Sequence, residues 1–227
     1  MSAADAGAIV GLETRARATL GASSDAIYRA VAATLDARGV RGGTFVDVGC
    51  GRGDLERHLG GRFDRYVGLD AVRYDALPGA IEFRAIDLDA PDWSVGDLQG
   101  DVVAAVETIE HLENPWAFVR ALARLARPGG WVVVTTPNQE SALSLMTLLV
   151  KRRFGAFQDA MYPMHRTALL PSDLARALAA AGLDSIAVAF TAHGRAPLTP
   201  WHYPAPLARA CPRLLSDNVV AIGRRAA

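Results

Sequence analysis

Glycines 49, 51 and 53 alternate with Cys50 and Arg52 directly behind the β-branched run Phe45-Val46-Asp47-Val48, and Asp54-Leu55-Glu56 follows as an acidic helix start. Glycine accepts the positive φ of a tight reversal and lets a ligand approach the backbone. A strand, a glycine turn and a helix N-terminus in series put amide donors and the positive end of a helix dipole at one point. That is a pocket of nucleotide type. A P-loop needs Gly-x-x-x-x-Gly-Lys-Ser/Thr, and Asp54 stands after the last glycine where it would repel phosphate. A dinucleotide fingerprint spaces its glycines Gly-x-Gly-x-x-Gly, whereas here the third comes one residue early. Asp47, at the strand end, suits a cationic amine better than a pyrophosphate. The ligand expected is positively charged and carries no phosphate.

Further acids and histidines stand downstream at ends of candidate strands: Asp70 after Arg65-Tyr66-Val67-Gly68-Leu69, Asp87-Leu88 after Ile81 to Ile86, and Glu107-Thr108-Ile109-Glu110-His111 after Asp101 to Val106. A carboxylate at the end of a second strand accepts two hydroxyl protons well, as a ribose requires. His111 stands where a general base is useful to a hydroxyl nucleophile. It can equally serve only to hydrogen-bond its own loop.

Val46 to Gly53 resembles motif I of the class I S-adenosylmethionine-dependent methyltransferases. The likeness continues in order through Asp70, Asp87-Leu88, the fourth strand to Glu107, and Leu125-Ala126-Arg127-Pro128-Gly129-Gly130 leading into a fifth strand, from Thr44 to Asn138. The resemblance implies S-adenosyl-L-methionine as co-substrate. Asp47, Gly49, Cys50, Gly51 and Gly53 would line its methionine side, Asp70 with Ala71 its ribose, and Asp87 with Leu88 its adenine. Glu107 and Thr108 would face the sulfonium and the acceptor, with His111 and Glu107 as the catalytic pair. Methyl transfer is an in-line displacement at an activated carbon, so alignment and exclusion of water are the chief requirements.

The reaction expected is O-methylation of a small-molecule or saccharide hydroxyl. N-methylation, a metal-dependent 2′-O-methylation of RNA, and an inactive methyltransferase-like scaffold are the alternatives. Glu107, Glu110, His111 and the distant His165 resemble the divalent-metal ligands of small-RNA 2′-O-methyltransferases, two carboxylates and two imidazoles. The same Glu-x-x-Glu-His run occurs in metal-independent relatives acting on quinones and glycans, and no second histidine adjoins His165. A metal site is therefore not favoured.

The elements that must position these residues alternate. Strands are expected at Thr44–Val48, Tyr66–Leu69, Ile81–Ile86, Val102–Val106 and Trp131–Thr135, with helices at Asp54–Leu59 and Pro115–Ala126. Near-continuous apolar strands between helices imply a parallel sheet covered on both faces. Alanine-rich helices over Asp5 to Leu20 and Ser23 to Arg38 precede it, the second capped by Ser23 or Ser24 and stopped by Gly39. Helices over Ser141 to Phe154 and from Pro171 to Ala181, then strands at Ser185–Thr191 and Asn218–Ile222, complete the chain. The fold class is α/β: a Rossmann-like, doubly wound, seven-stranded sheet, mostly parallel, with an antiparallel C-terminal edge strand, helices on both faces and an N-terminal helical cap. One domain is expected over 1–227, with N-terminal helices at 1–40, the cofactor core at 44–138 and substrate-side elements at 139–227.

Bulk properties restrict the partners. The chain has 227 residues, 51% hydrophobic and 21% charged, with a formal net charge of +0. Nothing advertises a phosphate backbone, so nucleic acid is not the expected partner. Cys50 and Cys211 are too few for a disulfide framework, which points to a reducing compartment. The first residues carry Asp5 and Glu13 and do not read as a secretory signal. The longest apolar stretch, Ala142 to Val150, falls short of the ~20 residues that span a bilayer. A cytoplasmic monomer or homodimer is expected. Specificity should reside after Pro137: Leu145, Met146, Leu148, Leu149 and Phe154 as an apolar lid or as core, Lys151-Arg152-Arg153 as a holder of substrate anion or a solvated helix end, and the aromatic loop His193 to Tyr203 at the rim.

Overall fold

The computed structural model describes residue 19, residues 21–93 and residues 95–227. The helix expected over Asp5 to Leu20 lies outside the described residues except for Thr19, which sits in a turn. Seven strands form one sheet in the order β3-β2-β1-β4-β5-β7-β6. They are β1 (Thr44–Val48), β2 (Arg65–Asp70), β3 (Glu82–Ala85), β4 (Gly100–Ala105), β5 (Ala126–Pro137), β6 (Leu183–Phe190) and β7 (Asn218–Arg225). The first five pair in parallel, while β7 runs antiparallel to both β5 and β6. The C-terminal strand thus lies one place in from the edge, and β6 is outermost.

Alternation along the strands sorts side chains to two cores, since successive residues point to opposite faces. Val46 and Val48 of β1 join Val103 and Ala105 of β4 under helices α3 (Pro115–Leu125) and α5 (Pro171–Ala180), through Phe118, Leu122, Leu174 and Leu178. Phe45, Val102 and Ala104 face the other way, against α1 (Asp25–Asp36) and α2 (Asp54–Leu59), through Val31, Leu35, Leu55 and Leu59. Both faces of the central strands are buried, as their unbroken apolar runs require.

Side-chain caps open two of the helices. Asn114 accepts from the amide of Ala117 at 3.0 Å at the head of α3, with Pro115 as first helical residue. Ser141 accepts from Ser144 at 3.1 Å to open α4 (Ala142–Lys151). Ser24 occupies the N-cap position of α1 without a side-chain cap bond, and the Ser23 amide donates instead to the Tyr28 hydroxyl at 2.8 Å. The expected serine cap is therefore not made, and the Tyr28 hydroxyl instead ties down the chain just before the helix. A sixth helix, α6 (Ala205–Ala210), and two single-turn helices at Ile109–His111 and Asp159–Met161 were not expected. Each is too short to show a helical period. The helix over Ser141 to Phe154 ends earlier, where Arg152 takes φ 59°.

Candidate active site

The strand order reverses between β1 and β4, and ligands of such sheets sit beyond the carboxyl ends of the strands at that point. A cavity of about 480 Å³ lies there. Asp47, Gly49, Cys50 and Gly51 line it from β1 and its turn, Asp70 and Ala71 from β2, Asp87 and Leu88 from the loop after β3, and Glu107, Thr108 and His111 from beyond β4. Of the residues expected to bind the cofactor or to act in catalysis, only Gly53 is not in its wall. A Cβ there would lie 2.8 Å from Ile81 and 2.9 Å from Leu77, so this glycine serves packing inside the protein.

The glycine turn departs from expectation in how its amides are used. The amides of Gly49 and Cys50 donate to the Leu69 carbonyl at 2.7 and 3.2 Å, Gly51 to Asp70 Oδ2 at 2.8 Å, Arg52 to the Gly21 carbonyl at 2.8 Å, and Gly53 to the Cys50 carbonyl at 2.8 Å. Every backbone amide of residues 49–53 is therefore spent within the protein, which removes the amide nest that a phosphate would need. The Cβ positions are filled too: one on Gly49 would meet Thr108 Oγ1 at 2.3 Å, and one on Gly51 would meet the Gly21 carbonyl oxygen at 2.2 Å. These glycines let other protein segments approach the turn. What the turn leaves to a ligand is carboxylate.

Asp47 accepts from the Tyr66 hydroxyl at 2.7 Å through Oδ2, and no described residue donates to its Oδ1. Burial pushes its carboxyl up to about 7, against the lowering effect of the Tyr66 bond and with help from the neighbouring Asp70 charge. Asp70 is raised as well, chiefly by burial, and is held back by amide bonds beginning with Gly51. Two buried acids at one end of a cavity, with no basic partner between them among the described residues, form a site built to receive positive charge. Asp87 is exposed at the cavity margin and accepts from the Asp89 amide at 3.0 Å.

At the other end, Glu107 has φ 50°, and both its oxygens are engaged: Oε1 accepts from Thr135 Oγ1 at 2.8 Å and Oε2 from Asn218 Nδ2 at 2.7 Å. Burial and the nearby Glu110 carboxyl hold it well above the usual carboxylate range. Glu110 is almost completely buried, accepts from Thr136 Oγ1 at 3.1 Å, and is pushed up to about 7 by burial. His111 Nδ1 lies 2.8 Å from the Met164 carbonyl and His165 Nδ1 lies 2.7 Å from the Ala156 carbonyl. A carbonyl only accepts, so each ring carries its proton on Nδ1 and keeps a lone pair on Nε2. Burial lowers the pKa of both histidines, with His111 adding to the effect on His165. One ligand atom from each of Glu110, His111 and His165 lies within 4.8 Å of the others. Glu107 is not in this group. Ser24, Ile27 and Tyr28 at the start of α1 line the cavity as well, and so do Met161, Pro163 and Met164 before α5, none of which sequence reading singled out as a site residue. No local pattern marks them. The loop His193 to Tyr203, expected at the rim, does not line the cavity; it packs its own His193 and His202 rings at 4.1 Å, and Gly194 lies against the chain at Leu215.

A family model described as a methyltransferase domain matches residues 22–188, nearly the whole span from the cavity floor to β6. The chain belongs to the class I S-adenosylmethionine-dependent methyltransferases. This methyltransferase is 30% identical over 153 residues to a ubiquinone biosynthesis O-methyltransferase of Aeromonas salmonicida, covering 64% of each chain. It is 32% identical over 159 residues to one of Paracidovorax citrulli, covering 64% of this chain and 65% of that one. The match thus spans somewhat less than two thirds of those relatives. Among solved structures, an S-adenosylmethionine-dependent methyltransferase from Archaeoglobus fulgidus superposes with a TM-score of 0.60 at 18% identity, over 87% of this chain and 94% of that one. Magnesium protoporphyrin IX methyltransferase from Synechocystis, solved with S-adenosylhomocysteine, gives 0.58 at 19%, over 88% and 82%. These two likenesses establish that the methyltransferase shares their fold.

Proposed function

We propose that the methyltransferase transfers the methyl group of S-adenosylmethionine to a hydroxyl oxygen of a small-molecule acceptor. The observation that carries this is the division of one cavity: amide-poor and carboxylate-rich at Asp47 and Asp70, imidazole-bearing at His111 and His165. Asp47 Oδ1 takes the α-ammonium of the methionine part, and Asp70 accepts from the ribose hydroxyls. Asp87 and Leu88 meet the adenine. Glu107, tied at both oxygens, stiffens the wall beside Thr108.

The acceptor oxygen forms its bond to the methyl carbon as the carbon–sulfur bond breaks, and the electron pair of that bond stays on sulfur as the sulfonium becomes a neutral thioether. The hydroxyl proton passes to Nε2 of His111, which is neutral and oriented because its Nδ1–H is held by Met164. The product pair is a methyl ether and S-adenosylhomocysteine, and His111 returns its proton to solvent. The walls contributed by Leu112, Met161, Pro163 and Met164 favour a phenol over a saccharide. The names of the curated relatives point to the same oxygen chemistry. Transfer of labelled methyl to a panel of phenols and sugars tests this reading: label on a phenolic oxygen supports it, and label only on amines overturns it.

A second reading is favoured by one observation, the convergence of Glu110, His111 and His165. Both imidazoles present Nε2 while Nδ1 is anchored to a carbonyl, the usual arrangement of a histidine that ligates metal. Glu110 and the two Nε2 atoms would hold a divalent cation, which would acidify an acceptor hydroxyl. Full activity after treatment with chelator excludes this reading; loss restored by added magnesium or zinc establishes it.

A further inference from the structure

We propose that the face of α4, together with the segment that follows it, docks on an anionic lipid bilayer surface. The inference does not rest on the methyl-transfer reading. Helix α4, Ala-Leu-Ser-Leu-Met-Thr-Leu-Leu-Val-Lys, is strongly apolar, yet Ser144 is its only buried residue. Leu145 is 39% exposed, Leu149 80% and Val150 76%. At about 100° per residue, Leu145, Leu149 and Val150, with the half-buried Met146 between them, sweep roughly 140° of the helix surface on the side away from Ser144. Apolar residues ordinarily turn inward, so a contiguous exposed set marks a surface that is covered by something else.

Charge identifies what covers it. The chain as a whole carries a formal net charge of +0, but Lys151, Arg152 and Arg153 directly follow the apolar face, and Asp159 is the sole acid between Ser141 and Tyr162. Asp159 pairs with Arg153 at 3.0 Å. The side chains of Lys151 and Arg152 make no ion pair or hydrogen bond with the described residues. Tyr162, 72% exposed, shares with Arg152 and Arg153 the wall of a second depression of about 370 Å³. An apolar helical face beside unpaired cations and an exposed tyrosine has the chemistry of an interfacial helix: leucine and valine enter the acyl boundary, tyrosine sits at headgroup level, and lysine and arginine meet lipid phosphates. No helix of the described residues is long and apolar enough to cross a membrane, so the contact is peripheral. The same segment continues into Met161, Pro163 and Met164 in the wall of the reaction cavity. Docking would therefore set the cavity mouth beside the bilayer.

Vesicle flotation of the full chain tests the proposal, with phosphatidylcholine vesicles compared against vesicles that also contain phosphatidylglycerol. The wild type is expected to float with the anionic vesicles and to be released by high salt, which screens the cationic contribution. Leu149→Ser with Val150→Ser, and separately Lys151→Gln with Arg152→Gln, should each weaken that association about tenfold or more. Both variants should keep wild-type affinity for S-adenosylhomocysteine, since none of these residues lines the reaction cavity. Equal flotation of the wild type with both vesicle types would overturn the proposal. So would unchanged flotation of both variants, or a dimer in solution that is lost in Leu149→Ser with Val150→Ser while vesicles are ignored.

Discussion

The rings of His111 and His165, separated by 53 residues of chain, meet edge to face with centroids 4.9 Å apart. Each is pinned at Nδ1 by a different backbone carbonyl, that of Met164 for His111 and that of Ala156 for His165. The pair is thereby held in the wall at the acceptor end of the cavity.

His111→Gln is expected to lower kcat by about 10²- to 10⁴-fold, the span of a general base. S-adenosylhomocysteine should bind it as it binds the wild type. His165→Gln should cost less if His165 only positions its neighbour, and as much if both hold a cation. Single-turnover methyl transfer, with calorimetry on the same samples, separates the two contributions.

The acid limb of kcat, read at saturating S-adenosylmethionine so that Asp47 is already ionised, should turn below the ordinary histidine value of about 6.5, because burial lowers the His111 pKa and the neutral imidazole is the active form. Activity is then lost only as the pH falls through that depressed value. A limb turning well above 7 would assign the base elsewhere.

Asp47 couples folding to binding. Its folded pKa, about 7, lies above the unfolded value of about 4, so its contribution to stability is present in full below pH ~4 and is lost as pH rises through about 7. Asp47→Asn should therefore raise the melting temperature at pH 8 by a few degrees and change it little at pH 4.5. A bound ammonium reverses the preference and ionises the acid. Calorimetry at pH 6 in buffers of different ionisation enthalpy should thus detect proton release when S-adenosylhomocysteine binds the wild type, and none with Asp47→Asn.

Gly51→Ala should destabilise by about 2–4 kcal/mol, the cost of overpacking added to that of a left-handed φ. The new Cβ would strike backbone at Gly21, which cannot step aside as a flexible side chain can. Gly39→Ala shares a positive φ of 64° but meets nothing within 4 Å, so it should cost only about 1 kcal/mol. Urea unfolding of the two variants distinguishes collision from backbone strain.

The cofactor half of the site was legible because its chemistry is local. Asp47 and Asp70 stand at or near the ends of the apolar strands β1 and β2, Asp87 follows β3, and strand ends in a parallel sheet converge at one rim. The acceptor half was legible only in its first member. Glu110 and His111 stand side by side in the sequence, but the approach of His165 depends on how residues 154–168 fold back over β4, a path written in turns without periodicity. The function of the glycine turn was misjudged in one respect, since amide donors that a sequence offers to a ligand can be consumed by Leu69, Asp70 and Gly21. Helix α4 was read as lid or core because its composition is apolar. Composition does not say which partner an apolar face has, and here the described chain leaves Leu149 and Val150 largely uncovered.

The carboxylate-lined end of the cavity is the centre of the account, and titration of the wild type with S-adenosylhomocysteine by calorimetry, beside Asp70→Ala, tests it most directly. The account predicts saturable one-to-one binding by the wild type, weakened by about 1–3 kcal/mol in the variant through lost charge-assisted hydrogen bonds. Absence of binding by the folded wild type, or an Asp70→Ala affinity equal to it, would contradict the assignment.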